Sequence, residues 1–158
     1  MTGWRIGFAG APVTLIKAMD KLQSQSTSNA SSIGQAAAVA ALNGPQDGIA
    51  AMADTYKLRR DLVVDTLNAI PGLSCHRPEG AFYVFPGMHG CIGKTTKGGT
   101  VIDSDEAFVA ALLEEQGVAA VHGAAFMYPG HFRISYATDT ESLREACARI
   151  AAFCATMT

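Results

Sequence analysis

The sequence predicts a mixed α/β fold in which helices dominate the first half of the chain. Two observations support this class. Apolar residues recur at helical spacing through most of residues 12–70, and residues 81–154 alternate short strand-like stretches with capped helical stretches. No apolar run approaches the ~20 residues of a membrane span, and the N-terminal residues lack the pattern of a signal peptide. We therefore expect a soluble, cytoplasmic globular protein.

The first half is predicted to hold one strand and three helices. Large apolar residues alternate with small or polar ones at the start, which is the period of a strand, and Pro12 suits the first position of a helix. Pro71 and Gly72 are strong helix-ending residues. The predicted elements, in chain order, are a strand over residues 4–9, a helix from Pro12, a loop over Ser24–Ser32, and helices over about 33–42 and 46–70.

The second half is predicted to alternate strands with helices. Ser104 lies in a capping-box sequence with acidic residues in the first turn, and the sequence Thr138–Glu141 caps a last helix. The predicted elements are strands over residues 81–85, 118–121 and 132–136, a glycine-rich loop over Pro86–Thr100, a helix ending at Gly117, and a last helix with Leu143, Cys147, Ile150 and Cys154 on its buried face.

Composition excludes several classes of function. The chain has 158 residues, 49% of them hydrophobic and 16% charged, with a formal net charge of -2. This charge balance lacks the basic surface that a nucleic-acid-binding protein needs. The charged fraction is also below the ~25% usual for soluble domains. We therefore expect part of the surface to be covered by other protein, as in a larger assembly.

Cysteine, histidine and glycine motifs give no metal or nucleotide site. The four cysteines contain no CxxC pair, and the histidines show no metal-ligand spacing, so buried cysteines and no metal are expected. Gly93-Lys94-Thr95 resembles the end of a P-loop, but Met88 stands where that motif requires glycine. A surface loop is the expected structure there.

Arg5 and Arg133 share an unusual sequence environment. Each is predicted to stand on a strand with small residues beside it, which leaves room for a planar anion against the guanidinium group. For either strand alone, an arginine on a solvated face remains the alternative. The large apolar residues predicted on the opposite faces are Trp4, Ile6 and Phe8 for the first strand and Phe132, Ile134 and Tyr136 for the second.

The motifs along the chain are, in order, MTGWRIGFAGAP, SNASSIGQAAAVAAL, PEGAFYVFP, GVAAVHGAAF and FRISYAT. Together they resemble the C-terminal part of class I aminotransferases of the aspartate aminotransferase type. The resemblance implies the fold-type I transferase fold, with residues 1–60 ending the large domain and 61–158 forming the small one. It also implies pyridoxal 5'-phosphate as cofactor, amino acid and 2-oxo acid substrates, and a homodimer.

The resemblance assigns two site residues. Arg5 matches the arginine that binds the cofactor phosphate, and Arg133 matches the arginine that binds the substrate α-carboxylate. The family's Schiff-base lysine lies before the position of Met1, so no catalytic residue is assigned in this chain, and these residues alone are expected not to transaminate. The substrate is expected to be aspartate, or the specificity to be broad.

Two departures and two alternatives accompany the resemblance. His122 replaces a common proline and Met127 a common glycine, both near the expected approach to Arg133. The loop over Pro86–Thr100 is a candidate cover for the site because of its glycines.

The same fold also suits a lyase acting on sulfur amino acids, or a non-enzymatic effector domain of a transcription regulator.

Overall fold

The computed structural model describes residues 1–158 and confirms the mixed α/β class. The chain has five α-helices and one small antiparallel sheet. No helix combines the length and apolar character needed to cross a membrane. The helices are α1 (Val13–Ser26), α2 (Ser32–Asn43), α3 (Asp47–Asn68), α4 (Asp105–Gln116) and α5 (Thr140–Ala155). The strands are β1 (Tyr83–Val84), β2 (Val121–His122) and β3 (Phe132–Ser135).

The chain divides into two compact units, Met1–Ile49 and Ala50–Thr158, and the division falls within α3. The N-terminal unit contains α1 and α2, and Gly34 is its only buried residue. This unit therefore lacks a hydrophobic core of its own. The predicted boundary after residue 60 concerns the family's domains and stays a prediction.

The predicted strand over residues 4–9 is wrong. Thr2–Trp4 form a short 3-10 helix, and Arg5 follows it in the left-handed conformation, at φ 51° and ψ 44°. A strand needs a pairing partner for its backbone, and all three strands of the sheet lie in the C-terminal unit. Trp4 is 52% exposed and Phe8 is 82% exposed, so the alternating apolar residues of this segment do not form a buried face.

The three helices predicted in the first half are present. Helix α1 begins one residue after Pro12 and extends to Ser26, so the predicted loop shortens to residues 27–31. Helix α2 begins with a cap in which the Ser31 side chain accepts a hydrogen bond from the Gly34 amide. Helix α3 ends before Pro71 and Gly72, as predicted.

The sheet of the C-terminal unit has the strand order β1-β3-β2, with both pairs antiparallel. Strand β2 begins at Val121, three residues later than predicted. The core forms where α4, α5 and the second half of α3 bury their apolar residues against β3. Each large apolar side chain buried there contributes about 1.5–3 kcal/mol. Among the fully buried residues are Val63, Leu67, Phe108, Leu112, Phe132, Ile150 and Phe153.

Side-chain caps begin α4 and α5, as the sequence predicts. Ser104 accepts a hydrogen bond from the Ala107 amide, and Asp139 accepts one from the Ser142 amide. Gly117 ends α4 in the left-handed conformation at φ 65°, which glycine adopts without strain. The four cysteines are free and buried, and Leu143, Cys147, Ile150 and Cys154 all face the core.

The segment Pro86–Thr100 is irregular but anchored. Gly87 exchanges two backbone hydrogen bonds with Ser74, and the Gly90 amide donates to the Gly72 carbonyl at 3.1 Å. Met88 and Cys91 are buried within the core. A segment with these ties opens only at a cost in free energy, so the structure does not support the expected movable cover.

Candidate functional site

Arg133 stands on β3 as the sequence predicts. Phe132 and Tyr136 point to the core and are at most 2% exposed, whereas Arg133 and Ser135 point to the other face. Because β3 is the central strand, both neighbouring strands fix its position through backbone hydrogen bonds. The guanidinium group is therefore carried by the most constrained element of the sheet.

Two aromatic rings hold the guanidinium group of Arg133. Its Cζ atom lies 4.5 Å from the centroid of the Tyr83 ring and 4.3 Å from that of the Phe126 ring. Cation–π contacts of this kind contribute about 0.5–1 kcal/mol at exposed sites. They also orient the planar group without using its N–H donors. The rings thus fill part of the space beside Arg133 that the sequence analysis left for an anion.

The donors of Arg133 remain available to a ligand. The side chain makes no hydrogen bond or ion pair within the protein, and its nitrogens are not among the buried polar atoms. A guanidinium fork that is oriented and unpaired suits the two parallel hydrogen bonds of a carboxylate or phosphate. The site can therefore bind and orient a planar anion.

The register of the sheet explains the contact with Tyr83. Tyr83 lies directly opposite Ser135, which is two residues from Arg133 on the same face. Diagonal neighbours of this kind are within reach of long and aromatic side chains. Tyr83 was not predicted as a site residue from the sequence. The available signal was an aromatic residue at the middle of the strand predicted over residues 81–85.

A short turn explains the contact with Phe126. Gly123–Phe126 form a 3-10 helix after β2, and Met127 ends it in the left-handed conformation at φ 59°. Phe85 packs edge-on against Phe126 with the ring centroids 5.5 Å apart. No periodic pattern marks such a turn, so the sequence does not predict Phe126 as a partner of Arg133.

The two departures from the family pattern have different surroundings. His122 pairs with Phe132 in the sheet, one register position from the pair of Val121 with Arg133. Met127 is 96% exposed and holds a left-handed conformation that favours glycine. This backbone conformation thus explains why glycine is common at the position of Met127.

Arg5 lies in the N-terminal unit and is exposed. Its Nη1 atom donates a hydrogen bond to the Thr2 carbonyl at 3.2 Å, and no carboxylate pairs with it. The prediction that it stands on a strand between small residues is wrong, because residues 4–9 form no strand. An arginine without an acidic partner still has the donor chemistry that a phosphate group needs.

Outside the two arginine positions, the His, Cys, Asp and Glu side chains form no metal-binding cluster: no three of them are placed to hold a metal ion. Burial raises the pKa of the Cys75 thiol to about 11 and raises that of Cys147 as well. Both thiols are therefore protonated at neutral pH and are poor nucleophiles.

A family model described as "Aminotransferase class I and II" matches residues 1–150. The chain is 62% identical over 155 residues to an aspartate/prephenate aminotransferase of Cereibacter sphaeroides, covering 98% of this chain and 39% of that protein. It is 58% identical over 154 residues to an aspartate aminotransferase of Rhizobium meliloti, covering 98% and 38%. The chain thus spans about two fifths of the length of these relatives.

Solved structures give the same result. A crystal structure of the aspartate aminotransferase from Rhizobium meliloti superposes with a TM-score of 0.87 at 56% identity, covering 100% of this chain and 40% of that one. The aspartate aminotransferase from Thermotoga maritima gives a TM-score of 0.76 at 38% identity, covering 97% and 36%. The likeness extends over both compact units of the chain.

Proposed function

Because the chain belongs to the class I and II aminotransferase family, we propose that it provides the substrate-carboxylate contact and a cofactor-phosphate contact of an aminotransferase. Its fold is the corresponding part of the fold-type I transferases that depend on pyridoxal 5'-phosphate. The reaction would transfer an amino group between an amino acid and a 2-oxo acid. The names of the relatives support aspartate, or a broad range of amino acids, as the substrate.

The observation that carries the proposal is the unpaired guanidinium group of Arg133 between Tyr83 and Phe126. Arg133 would bind the α-carboxylate through two parallel hydrogen bonds. The aromatic rings restrict the positions that the guanidinium group can take, so the bound carboxylate would have a preferred orientation. Orienting the substrate in this way fixes which bond at the α-carbon faces the reacting group, which is a positional contribution to catalysis.

One residue of this chain, Arg5, fits the phosphate-binding part of the cofactor site. Arg5 would hold the phosphate of pyridoxal 5'-phosphate, since its guanidinium group is exposed and has no acidic partner. When bound, the cofactor takes up the electron pair released at the substrate α-carbon. The five lysines of the chain match no family position for the cofactor lysine, so we propose that these residues alone do not transaminate. They are Lys17, Lys21, Lys57, Lys94 and Lys97.

We also propose the family's domain division for this chain, a homodimeric state and a cytoplasmic location. Residues 1–60 would end the large domain, and 61–158 would form the small one. Exposed apolar side chains in the N-terminal unit support association with other protein, because water-exposed patches of this kind mark contact surfaces. The most exposed of them are Phe8, Val13, Leu22 and Ile33.

A chimera tests the proposed function. The N-terminal part of the Rhizobium meliloti aspartate aminotransferase would be joined to this chain, and oxo acid formation from aspartate would be measured. We expect the chimera to transaminate and the 158 residues alone to show no turnover. Pyruvate with ammonia as products would indicate a lyase instead. A folded chimera that binds the cofactor but turns nothing over would indicate an effector domain.

Substitution of Arg133 in the chimera tests the assigned contact. Arg133→Lys replaces a bidentate fork with a single ammonium group, so the KM for the amino acid is expected to rise about tenfold or more. Arg144→Lys is the matched control, because Arg144 is exposed on α5 and its side chain makes no hydrogen bond or ion pair. An unchanged KM in Arg133→Lys would contradict the assignment.

A further inference from the structure

Asp105 is the one charged side chain that the protein buries. It lies at the start of α4 and is 4% exposed. Its carboxylate accepts a hydrogen bond from the backbone amide of Ala124 at 2.7 Å. Charged side chains are rarely buried to this extent unless they are paired. Asp105 makes no ion pair, so its partners are backbone amides.

The amide that Asp105 binds belongs to the turn that carries Phe126. Ala124 is the second residue of the 3-10 helix Gly123–Phe126, and Phe126 is its last residue. The Phe126 ring then lies against the guanidinium group of Arg133. A continuous chain of contacts therefore runs from the buried carboxylate, through one backbone turn, to the carboxylate-binding arginine.

We propose that Asp105 is a positioning residue for Arg133: by holding the Ala124 amide, it fixes the turn that places the Phe126 ring against the guanidinium group. The inference rests on the proposed function, since it concerns the same carboxylate site. Asp105 acts without touching Arg133 or the substrate. Its charge is satisfied by the turn and is not available as a counter-ion that would compete with a substrate carboxylate.

The strength of the Asp105 hydrogen bond makes this role physically reasonable. A hydrogen bond from an amide to an ionised carboxylate is about twice as strong as one between neutral groups. Burial alone raises the pKa of Asp105, but the hydrogen bond from the Ala124 amide, with smaller contributions from the Asp105 and Gly130 backbone and from the nearby His122, outweighs it, so the pKa lies below its ordinary value. The carboxylate is therefore ionised at neutral pH.

The bond to Asp105 acts together with two backbone hydrogen bonds at Gly123: its amide donates to the His131 carbonyl at 2.8 Å, and its carbonyl accepts from the Tyr128 amide at 3.0 Å. Of these three bonds, the one to Asp105 is the only one made by a side chain. Within the turn, Met127 holds a left-handed conformation that disfavours methionine, and Phe126 is 41% exposed. Phe85 is an aromatic neighbour of Phe126 on the sheet side. Loss of the Asp105 acceptor would leave the Ala124 amide without its partner in the protein, and the turn would be free to shift toward another acceptor.

The test uses nuclear magnetic resonance of the Arg133 side chain in the 158-residue chain. A proton held over aromatic faces resonates upfield of the same proton in free arginine, so the Nε–H signal of Arg133 reports its contact with Phe126. Asp105→Ala removes the acceptor, and the signal is expected to move downfield. Asp105→Asn keeps one acceptor oxygen and is expected to restore most of the native shift. Asp103→Ala is the matched control, because Asp103 is exposed and its side chain hydrogen-bonds only with Ser104.

Acetate, as a simple carboxylate probe, provides the functional measurement. Titration of the same Arg133 signal is expected to give a dissociation constant about two- to fivefold higher in Asp105→Ala than in the native chain. Phe126→Ala should show the same weakening, and adding Asp105→Ala to it should cause no further loss, since both changes act through one ring. If Asp105→Ala does not fold, Asp105→Ser, whose hydroxyl is too short to reach the turn, replaces it.

The outcomes separate the two proposals. A lower Tm with an unmoved Arg133 signal would overturn the positioning role and leave Asp105 as a purely structural residue. Additive losses in the double variant would also overturn it. Failure of the native chain to bind acetate through Arg133 would contradict the proposed function, whereas the position of the Nε–H signal would still decide whether Asp105 holds the Phe126 turn.

Discussion

Thr95 and Thr158 exchange two backbone hydrogen bonds: the Thr95 amide donates to the Thr158 carbonyl at 2.8 Å, and the Thr158 amide donates to the Thr95 carbonyl at 3.1 Å. This pair joins the glycine-rich segment Pro86–Thr100 to the residues that follow α5. Met157, next to it, is buried in the core. The segment is therefore held from two sides, by Ser74 and Gly72 near its start and by Thr158 near its end.

Removal of Met157 and Thr158 is expected to release the segment and to speed tryptic cleavage at Lys94 and Lys97 by at least about tenfold. The deletion loses roughly 1.5–3 kcal/mol of apolar burial and two hydrogen bonds, and cleavage follows the free energy of local opening. Thr158→Ala is the control, because it keeps both backbone hydrogen bonds. Equal cleavage rates for the deletion and the native chain would show that the pair does not hold the segment.

Tyr83→Ala is expected to weaken acetate binding at Arg133 about two- to fivefold, since it removes one of the two rings that orient the guanidinium group. Tyr83→Phe keeps the ring and should bind acetate as the native chain does. The measurement is the titration of the Arg133 Nε–H signal. An equal loss in both variants would point to the Tyr83 hydroxyl and not to the ring face.

Asp105 is expected to make stability depend on pH in the acid range. Its pKa in the folded protein lies below its ordinary value of about 3.9, so its contribution is fully present above that value and disappears as the pH falls through the folded pKa. At pH 7, Asp105→Ala should lower the unfolding free energy by about 1–3 kcal/mol. Urea unfolding at pH 7 and pH 3 should show this difference shrinking; a constant difference would contradict the linkage.

Met127→Gly is expected to raise the unfolding free energy by about 0.5–1 kcal/mol. A left-handed conformation costs a residue with a Cβ atom about 1–2 kcal/mol, and the greater freedom of glycine in the unfolded chain offsets part of the gain. Met127 is 96% exposed, so no buried contact is lost. Met127→Ala keeps the Cβ atom and should leave the midpoint of urea unfolding unchanged. A Met127→Gly variant less stable than the native chain would show that the left-handed conformation does not strain Met127.

The elements that the sequence predicted well are those with local signals. Helices α4 and α5 have side-chain caps at Ser104 and Asp139, and α5 also has one apolar face. Both signals act within a few residues. The strand predicted over residues 4–9 failed because an alternating pattern does not supply a pairing partner. The backbone of Arg5 turns left-handed instead.

Of the candidate site, the sequence predicted the position of Arg133 on its strand but not the aromatic residues around it. The face on which Arg133 stands follows from the period of β3. Its aromatic partners depend on the register that brings Tyr83 opposite Ser135 and on the turn that ends at Met127. Register and turn geometry are set by contacts between distant segments, so no pattern within one segment could reveal them.

The N-terminal unit, in which only Gly34 is buried, is expected to contribute little to the chain's response to denaturant. The slope of the unfolding free energy against urea concentration scales with the surface newly exposed, and residues 1–49 have little left to expose. Cooperative melting is therefore expected of residues 50–158, which contain the buried core. Helices α1 and α2 would fray on their own, with little core packing to slow the exchange of their amide hydrogens.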